Sequence, residues 1–189
     1  MTRAPTRCRE CSSPTMVIIK DYSLKFKSES GFFKVRSFEQ VPCPVCEEEL
    51  TVYGSRKRVL FCQDGTRKTL VIRRLRCGRC ESIHHELPDI VAPYKRYESE
   101  AVESVLASSG QESANKFPGE LRTYQRLKMW FYLVHSHIEG ALRALKEQMQ
   151  LESVVRLPLF PLHRQVDGWL KHLVRHLVNS GRWLQTCSA

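Results

Sequence analysis

Residues 43–80 read CPVCEEELTVYGSRKRVLFCQDGTRKTLVIRRLRCGRC, and the fold turns on this stretch. Two C-x-x-C pairs, Cys43/Cys46 and Cys77/Cys80, bracket thirty residues. Between them come a short strand, LTVY, a break at Gly54-Ser55, the run RKRVLFC, an Asp64-Gly65 turn, and the β-rich run TLVIRRLRC. Asp-Gly between two such runs favours a tight hairpin, which returns the second cysteine pair to the first. Two cysteine knuckles joined by a hairpin have the layout of a zinc ribbon. Four soft thiolates from two tight turns suit tetrahedral zinc, so Cys43, Cys46, Cys77 and Cys80 are expected to hold one structural zinc ion. A redox role for one pair would instead call for a thioredoxin-like strand-to-helix setting, which the sequence does not offer.

The same stretch is strongly basic. Arg56, Lys57, Arg58, Arg67, Lys68, Arg73, Arg74, Arg76 and Arg79 fall within 24 residues that contain one acid, Asp64. Such a stripe is the electrostatic footprint of a polyanion-binding surface. The whole chain of 189 residues carries 30 Lys plus Arg against 20 Asp plus Glu, a net charge of +10. Residues 1–97 account for most of that excess.

Working outward, residues 1–15 are polar and turn-rich, and they include a third pair, Cys8/Cys11. Two readings stand: a second zinc knuckle, or an unstructured leader upstream of a true start at Met16. From Met16, MVIIKDYSLKFK alternates as a strand, with Ile18, Leu24 and Phe26 available for burial. After His84 and His85, read as exposed residues of the basic surface, LPDIVAPYKRY has two prolines and reads as an extended linker. Helices follow. Ser99 is the expected N-cap of the first, with Ala101, Val102, Val105 and Leu106 on one face. A long amphipathic helix carries Leu121, Tyr124, Leu127, Phe131, Val134, Ile138, Leu142, Leu145 and Met149 as its core stripe. A last helix runs near 166–178 with Trp169, Leu170, Leu173 and Leu177 inward. His172 and His176 are assigned to its solvated face, and Cys62 and Cys187 read as ordinary residues. The expected fold is α+β: a β-rich ribbon domain over 16–97 and a helical domain over 98–189.

With 42% hydrophobic residues the chain can form a core, and neither a signal peptide nor a run of the roughly 18 apolar residues of a membrane span is seen. A cytoplasmic location, in which paired thiols serve metals before disulfides, is therefore expected. Gly-x-Ser-x-Gly, a phosphate-cradling glycine loop and His-Glu-x-x-His are all absent, so no enzymatic activity is expected.

PCPVCEEELTVYGSRKRVLF with LVIRRLRCGRCESIHHELPDIVAPYKRY resembles the zinc-ribbon head of insertion-sequence transposases. It more closely resembles an uncharacterised bacterial family of small mobile-element-associated proteins, in which a ribbon precedes a helix-turn-helix region. The likeness extends from Met16 through GWLKHLVRHLVNSGRW. It implies zinc at the four cysteines and handling of duplex DNA. In a helix-turn-helix, Arg122, Tyr124, Gln125, Arg126 and Lys128 would face a groove while Trp130 and Phe131 anchor the helix. The equal alternative is a helical bundle with a solvated charged face. Two other partners fit the composition: a transposase or other protein on which the module docks, and RNA, whose bases would stack on Tyr53 and Phe61.

Overall fold

The computed structural model describes residues 15–108, 117–148 and 167–184. Six strands, β1 (Thr15–Ile19), β2 (Tyr22–Lys27), β3 (Phe32–Ser37), β4 (Leu50–Phe61), β5 (Arg67–Cys77) and β6 (Ile83–Pro88), precede three helices, α1 (Ser99–Ala107), α2 (Leu121–Gln148) and α3 (Trp169–Asn179). The architecture is thus α+β.

The β4–β5 hairpin is the spine of a curled six-stranded sheet. β4 lies along one edge of β5 for its whole length. The other edge is shared by β3, at Leu70 and Val71, and by β6, at Arg74–Arg76. β2 continues outward from β3, and β1 pairs in parallel with β6. The hairpin turn is fixed by Asp64, whose Oδ1 accepts from the amide and hydroxyl of Thr66 at 2.8 and 2.7 Å, and by Gly65 at φ 81°. The Gly54-Ser55 break expected from sequence is instead a register shift between Val52 and Gly54 inside one twelve-residue strand. A bulge accommodates the extra residue and sharpens the twist without ending the pairing.

The expected strand from Met16 is also two strands, divided at Lys20-Asp21. β1 is buried along Met16–Ile19, a continuous apolar run suited to a covered parallel strand. β2 is a sheet edge, so Leu24 and Phe26 are exposed and only Ile18 of the three predicted core residues is buried.

β1 forms the opposite edge of the sheet, and α3 covers it. Asn179 places its side chain where another strand would lie: its Oδ1 accepts from the Ile18 amide at 2.8 Å, and its Nδ2 donates to the Ile18 carbonyl at 2.9 Å. Arg175 adds a bond to the same carbonyl and pairs with Glu39 at 2.8 and 3.0 Å. An edge that would invite pairing with another chain is thereby satisfied within this one. α3 is itself capped at both ends. The buried Glu103 carboxylate of α1 accepts from the amides of Gly168 and Leu170. At the other end, bonds from Gly181 to Val178 and from Arg182 to Leu177, with Gly181 at φ 70°, form a Schellman motif.

The expected linker is part of the core. Leu87, Val91, Ala92 and Lys95 are buried, β6 takes up Leu87 and Pro88, and the Phe61 amide bonds to the Arg96 carbonyl beyond them. Prolines are tolerated because the segment lies at a strand end and in turns, where no ladder donor is needed. Ring contacts run from Phe61 through Tyr97 and Phe117 to Tyr124, at centroid spacings of 5.4, 4.8 and 6.1 Å. They tie the sheet to α2, and one buried apolar cluster contains residues from Met16 to Val178.

The helices match their expected faces closely. Ser99 opens α1 as its first residue, with Glu98 at the N-cap, and its hydroxyl donates to the Asp89 carbonyl. On α2, Tyr124, Leu127, Val134, Ile138 and Leu142 are buried, as is Trp130, whereas Leu121 is exposed; Met149 lies outside the described residues. The α3 residues Trp169, Leu170, Leu173 and Leu177 are all buried, though the helix begins at 169 rather than 166. α1 and α2 are connected through residues 108–120, longer than the three- or four-residue turn of a helix-turn-helix.

Candidate metal centre

The two knuckles are built alike. Each leads out of its C-x-x-C through a glutamate in the left-handed region, Glu47 at φ 61° and Glu81 at φ 59°. In each, the first cysteine's amide donates to the carbonyl five residues on: Cys43 to Glu48 at 2.9 Å and Cys77 to Ser82 at 3.0 Å. The Cys80 amide also points at the Cys77 sulfur, 3.5 Å away. Amides directed at sulfur favour thiolate over thiol.

The hairpin brings the knuckles face to face. Cys43 Sγ lies 3.6 Å from Cys80 Sγ, Cys46 Sγ lies 3.4 Å from Cys77 Sγ, and all four sulfurs fall within 4.8 Å of one another. A tetrahedron with metal–sulfur bonds of about 2.3 Å has edges of about 3.8 Å. None of the four is joined in a disulfide, and together they can hold one metal ion. Cys43 and Cys77 are buried while Cys46 and Cys80 are half-buried. Burial pushes the Cys43 thiol up to about 12 and also raises Cys77. At Cys80 burial acts in the same sense, but hydrogen bonds from Ser82, Cys77 and Cys43 outweigh it and bring the thiol down to about 7. A bound cation would reverse the cost of burying these thiolates by supplying the opposite charge.

His84 and His85 are buried, contrary to the exposed positions expected from sequence. Burial, with His85 beside it, lowers His84 to about 4, and burial, with Arg56, Arg74 and Arg58 near, lowers His85 to about 4. His84 Nε2 sits 3.4 Å from Cys43 Sγ. In the tautomer protonated on Nε2, the ring donates to that sulfur and supports it from outside the sulfur cluster. The helical half touches the site as well: a Cβ at Gly181 would lie 2.8 Å from the Pro44 carbonyl oxygen, in the middle of the first knuckle. Neither feature is expected from the sequence. His84 lies four residues past Cys80, which hints at proximity, but nothing near Gly181 in sequence points to Pro44.

The basic residues divide into two groups. Arg56, Lys57, Arg67, Arg76 and Arg79 on the sheet and knuckle, and Arg122 and Arg126 on α2, are exposed. Others are committed inside the fold. Arg73 donates to Glu86, Nε to Oε2 at 2.6 Å, and Glu86 is only 2% exposed. Arg58 donates to the carbonyls of Lys95 and Ala92 at 2.8 and 3.4 Å, and burial lowers it to about 10. Lys68 is half-buried, and Arg74 lies 5.4 Å from the exposed Tyr53 ring. Lys128 donates to the Ser108 carbonyl, and buried Tyr124 meets the Ser108 hydroxyl at 2.8 Å. Those two residues therefore secure α1 against α2. Phe61, one of the two proposed base-stacking rings, is occupied by Tyr97. Cys8, Cys11 and Cys187 lie outside the described residues. No helix among the described residues is long and apolar enough to cross a membrane.

Residues 43–127, from the first knuckle cysteine into α2, match the family model of a Domain of unknown function (DUF6431). No curated protein and no solved structure matches the chain.

Proposed function

We propose that this protein is a non-enzymatic, zinc-stabilised DNA-binding protein in which the metal fixes the base of the β4–β5 hairpin and the basic sheet grips the phosphate backbone. The observation that carries the reading is the set of four sulfurs within 4.8 Å, delivered by two matching knuckles at the root of the more basic of the two hairpins among the described residues. A shell of four cysteines suits zinc and leaves no position for water or substrate, so the ion is structural. Arg56, Lys57, Arg67 and Arg76, the exposed basic residues of β4 and β5, supply sequence-independent contacts, and Arg122 and Arg126 on α2 can add to them. The resemblance of the ribbon to transposase heads supports an association with a mobile element.

A second reading has its own observation: Met129, Tyr132 and Leu133 are exposed together on α2, an apolar patch suited to docking on a transposase or another protein. RNA recognition is less favoured, because Phe61 is packed and Tyr53 alone remains of the two stacking rings.

Elemental analysis of protein purified without added zinc, with a duplex-DNA titration at two salt concentrations, tests the proposal. About one zinc per chain and affinity falling steeply with salt are expected. A chain without metal overturns the zinc site. Zinc without affinity for duplex leaves the docking module as the better reading.

A further inference from the structure

β2 (YSLKFK), β3 (FFKVRS), β4 (LTVYGSRKRVLF) and β5 (RKTLVIRRLRC) contain Lys or Arg in every strand and not one Asp or Glu. Their registers place the charges in space. Lys25 of β2 is directly opposite Lys34 of β3, Lys34 is beside Val71 of β5, and Val71 is opposite Lys57 of β4. Side chains alternate across a sheet, so this row shares one face, and the neighbouring positions Leu70 and Ile72 point to the other, buried face.

We infer that the row Lys25–Lys34–Lys57 on the outer face of β2, β3, β5 and β4 is the site that holds the phosphate backbone of duplex DNA. This rests on the DNA-binding reading above and extends it to the β2–β3 hairpin, which lies outside the basic stretch of residues 56–79. All three lysines are exposed, and among the described residues none forms an ion pair. Like charges directly opposite in an antiparallel pair are destabilising, yet Lys25 and Lys34 are so placed. Protection of a sheet edge accounts for lysines on the outer strands β2 and β4. It does not account for Lys34, because β3 is flanked by β2 and β5. With strands about 4.8 Å apart, the row spans roughly 14 Å, long enough to meet several phosphates of a duplex that carries a charge per ~1.7 Å of axis. Beside the row, Phe32 is half-buried with the Lys57 ammonium 3.9 Å from its ring centre, so that ring is not open to a base.

The test is duplex binding as a function of salt by three full-length proteins: the parent, Lys25→Gln/Lys34→Gln/Lys57→Gln, and a control, Lys20→Gln/Arg96→Gln/Arg143→Gln, that removes the same charge from exposed positions off this face. Metal content and circular dichroism establish that each is folded, and removing the Lys25/Lys34 repulsion favours folding of the row variant. We expect the slope of log affinity against log salt to become shallower by about 2 to 3 in the row variant and to stay within about one of the parent in the control. Equal slopes in all three proteins, or equal losses in both variants, overturn the row while leaving the DNA-binding reading intact. Tighter binding to a single-stranded probe than to duplex overturns the backbone assignment. A parent that binds no duplex at low salt removes the reading and this inference together.

Discussion

The two ends of the β4–β5 hairpin are held by different physics. At the turn end, Leu60, Leu70 and Ile72 are buried and Phe61 leads into the run of rings that reaches α2. At the knuckle end, Val52 and Tyr53 are 62% and 55% exposed, and Leu75 is the one leucine of the two strands buried there. There, four cysteines able to hold a metal ion lie at the base of the strands. Small β-structures that cannot bury enough apolar area use such a cross-link, and metal binding then supplies folding free energy directly. The contrast indicates that the hairpin should come apart from one end when metal is removed and from the other when apolar volume is removed.

The largest effect is expected from Cys77→Ser or from a strong chelator. Either should abolish stoichiometric metal binding and collapse hydrogen-exchange protection at the knuckle end, around Leu50–Val52 and Leu75–Cys77, before it reaches Leu60 and Leu70. A Cys77→Ser protein that binds metal normally and keeps that protection would end the distinction between the two ends. Next, Leu60→Ala should cost about 2–5 kcal/mol in thermal or denaturant unfolding, with metal stoichiometry unchanged in the folded protein.

Gly181→Ala probes the link between the helical half and the metal end. Its positive φ disfavours alanine by about 1 kcal/mol or more, and the added methyl meets the Pro44 backbone at 2.8 Å. The variant should lose stability and also release metal faster to a chelator. Lost stability with unchanged metal release would confine the effect to the helix end. Asn179→Ala should cost about 1–2 kcal/mol by leaving the Ile18 amide and carbonyl short of partners, and should raise self-association through the uncovered β1 edge. Unchanged melting and unchanged sedimentation would show that Asn179 is dispensable there.

The smallest effect concerns pH. Burial alone would raise Glu39, but Arg175 and the amides of Lys20 and Asp21 prevail and hold it at about 2 instead of its ordinary 4.5. A depressed carboxylate contributes stability above its unfolded value and loses it as pH falls through the folded one. Part of the acid destabilisation between about pH 4.5 and 2 should therefore vanish in Glu39→Gln, measured by melting across that range.

Local chemistry made much of this molecule legible. The paired cysteines, the Asp64-Gly65 turn and the helical periodicity of α2 and α3 are short-range patterns, and each corresponds to an element of the structure. Reading stopped where the decisive partner is distant in sequence. MVIIKDYSLKFK alternates enough to suggest one strand, but β1 is covered by α3 and β6 while β2 is a free edge. LPDIVAPYKRY has the prolines of a linker, yet its apolar residues fill the space between sheet and helices. A basic stretch in sequence does not distinguish Lys57, which is open to solvent, from Arg73, which neutralises buried Glu86.

The sequence by itself determined that the chain is α+β, that four cysteines in two knuckles converge on one site able to hold a metal ion, and where the long helices present their apolar faces. These follow from spacing, turn chemistry and periodicity, which act over a few residues. Tertiary structure alone decided that His84 supports a knuckle sulfur, that Gly181 abuts Pro44, that Asn179 completes the β1 edge, and that Lys25, Lys34 and Lys57 share a row. Those relations depend on strand order and register, set by the burial of a common core across more than a hundred residues of chain.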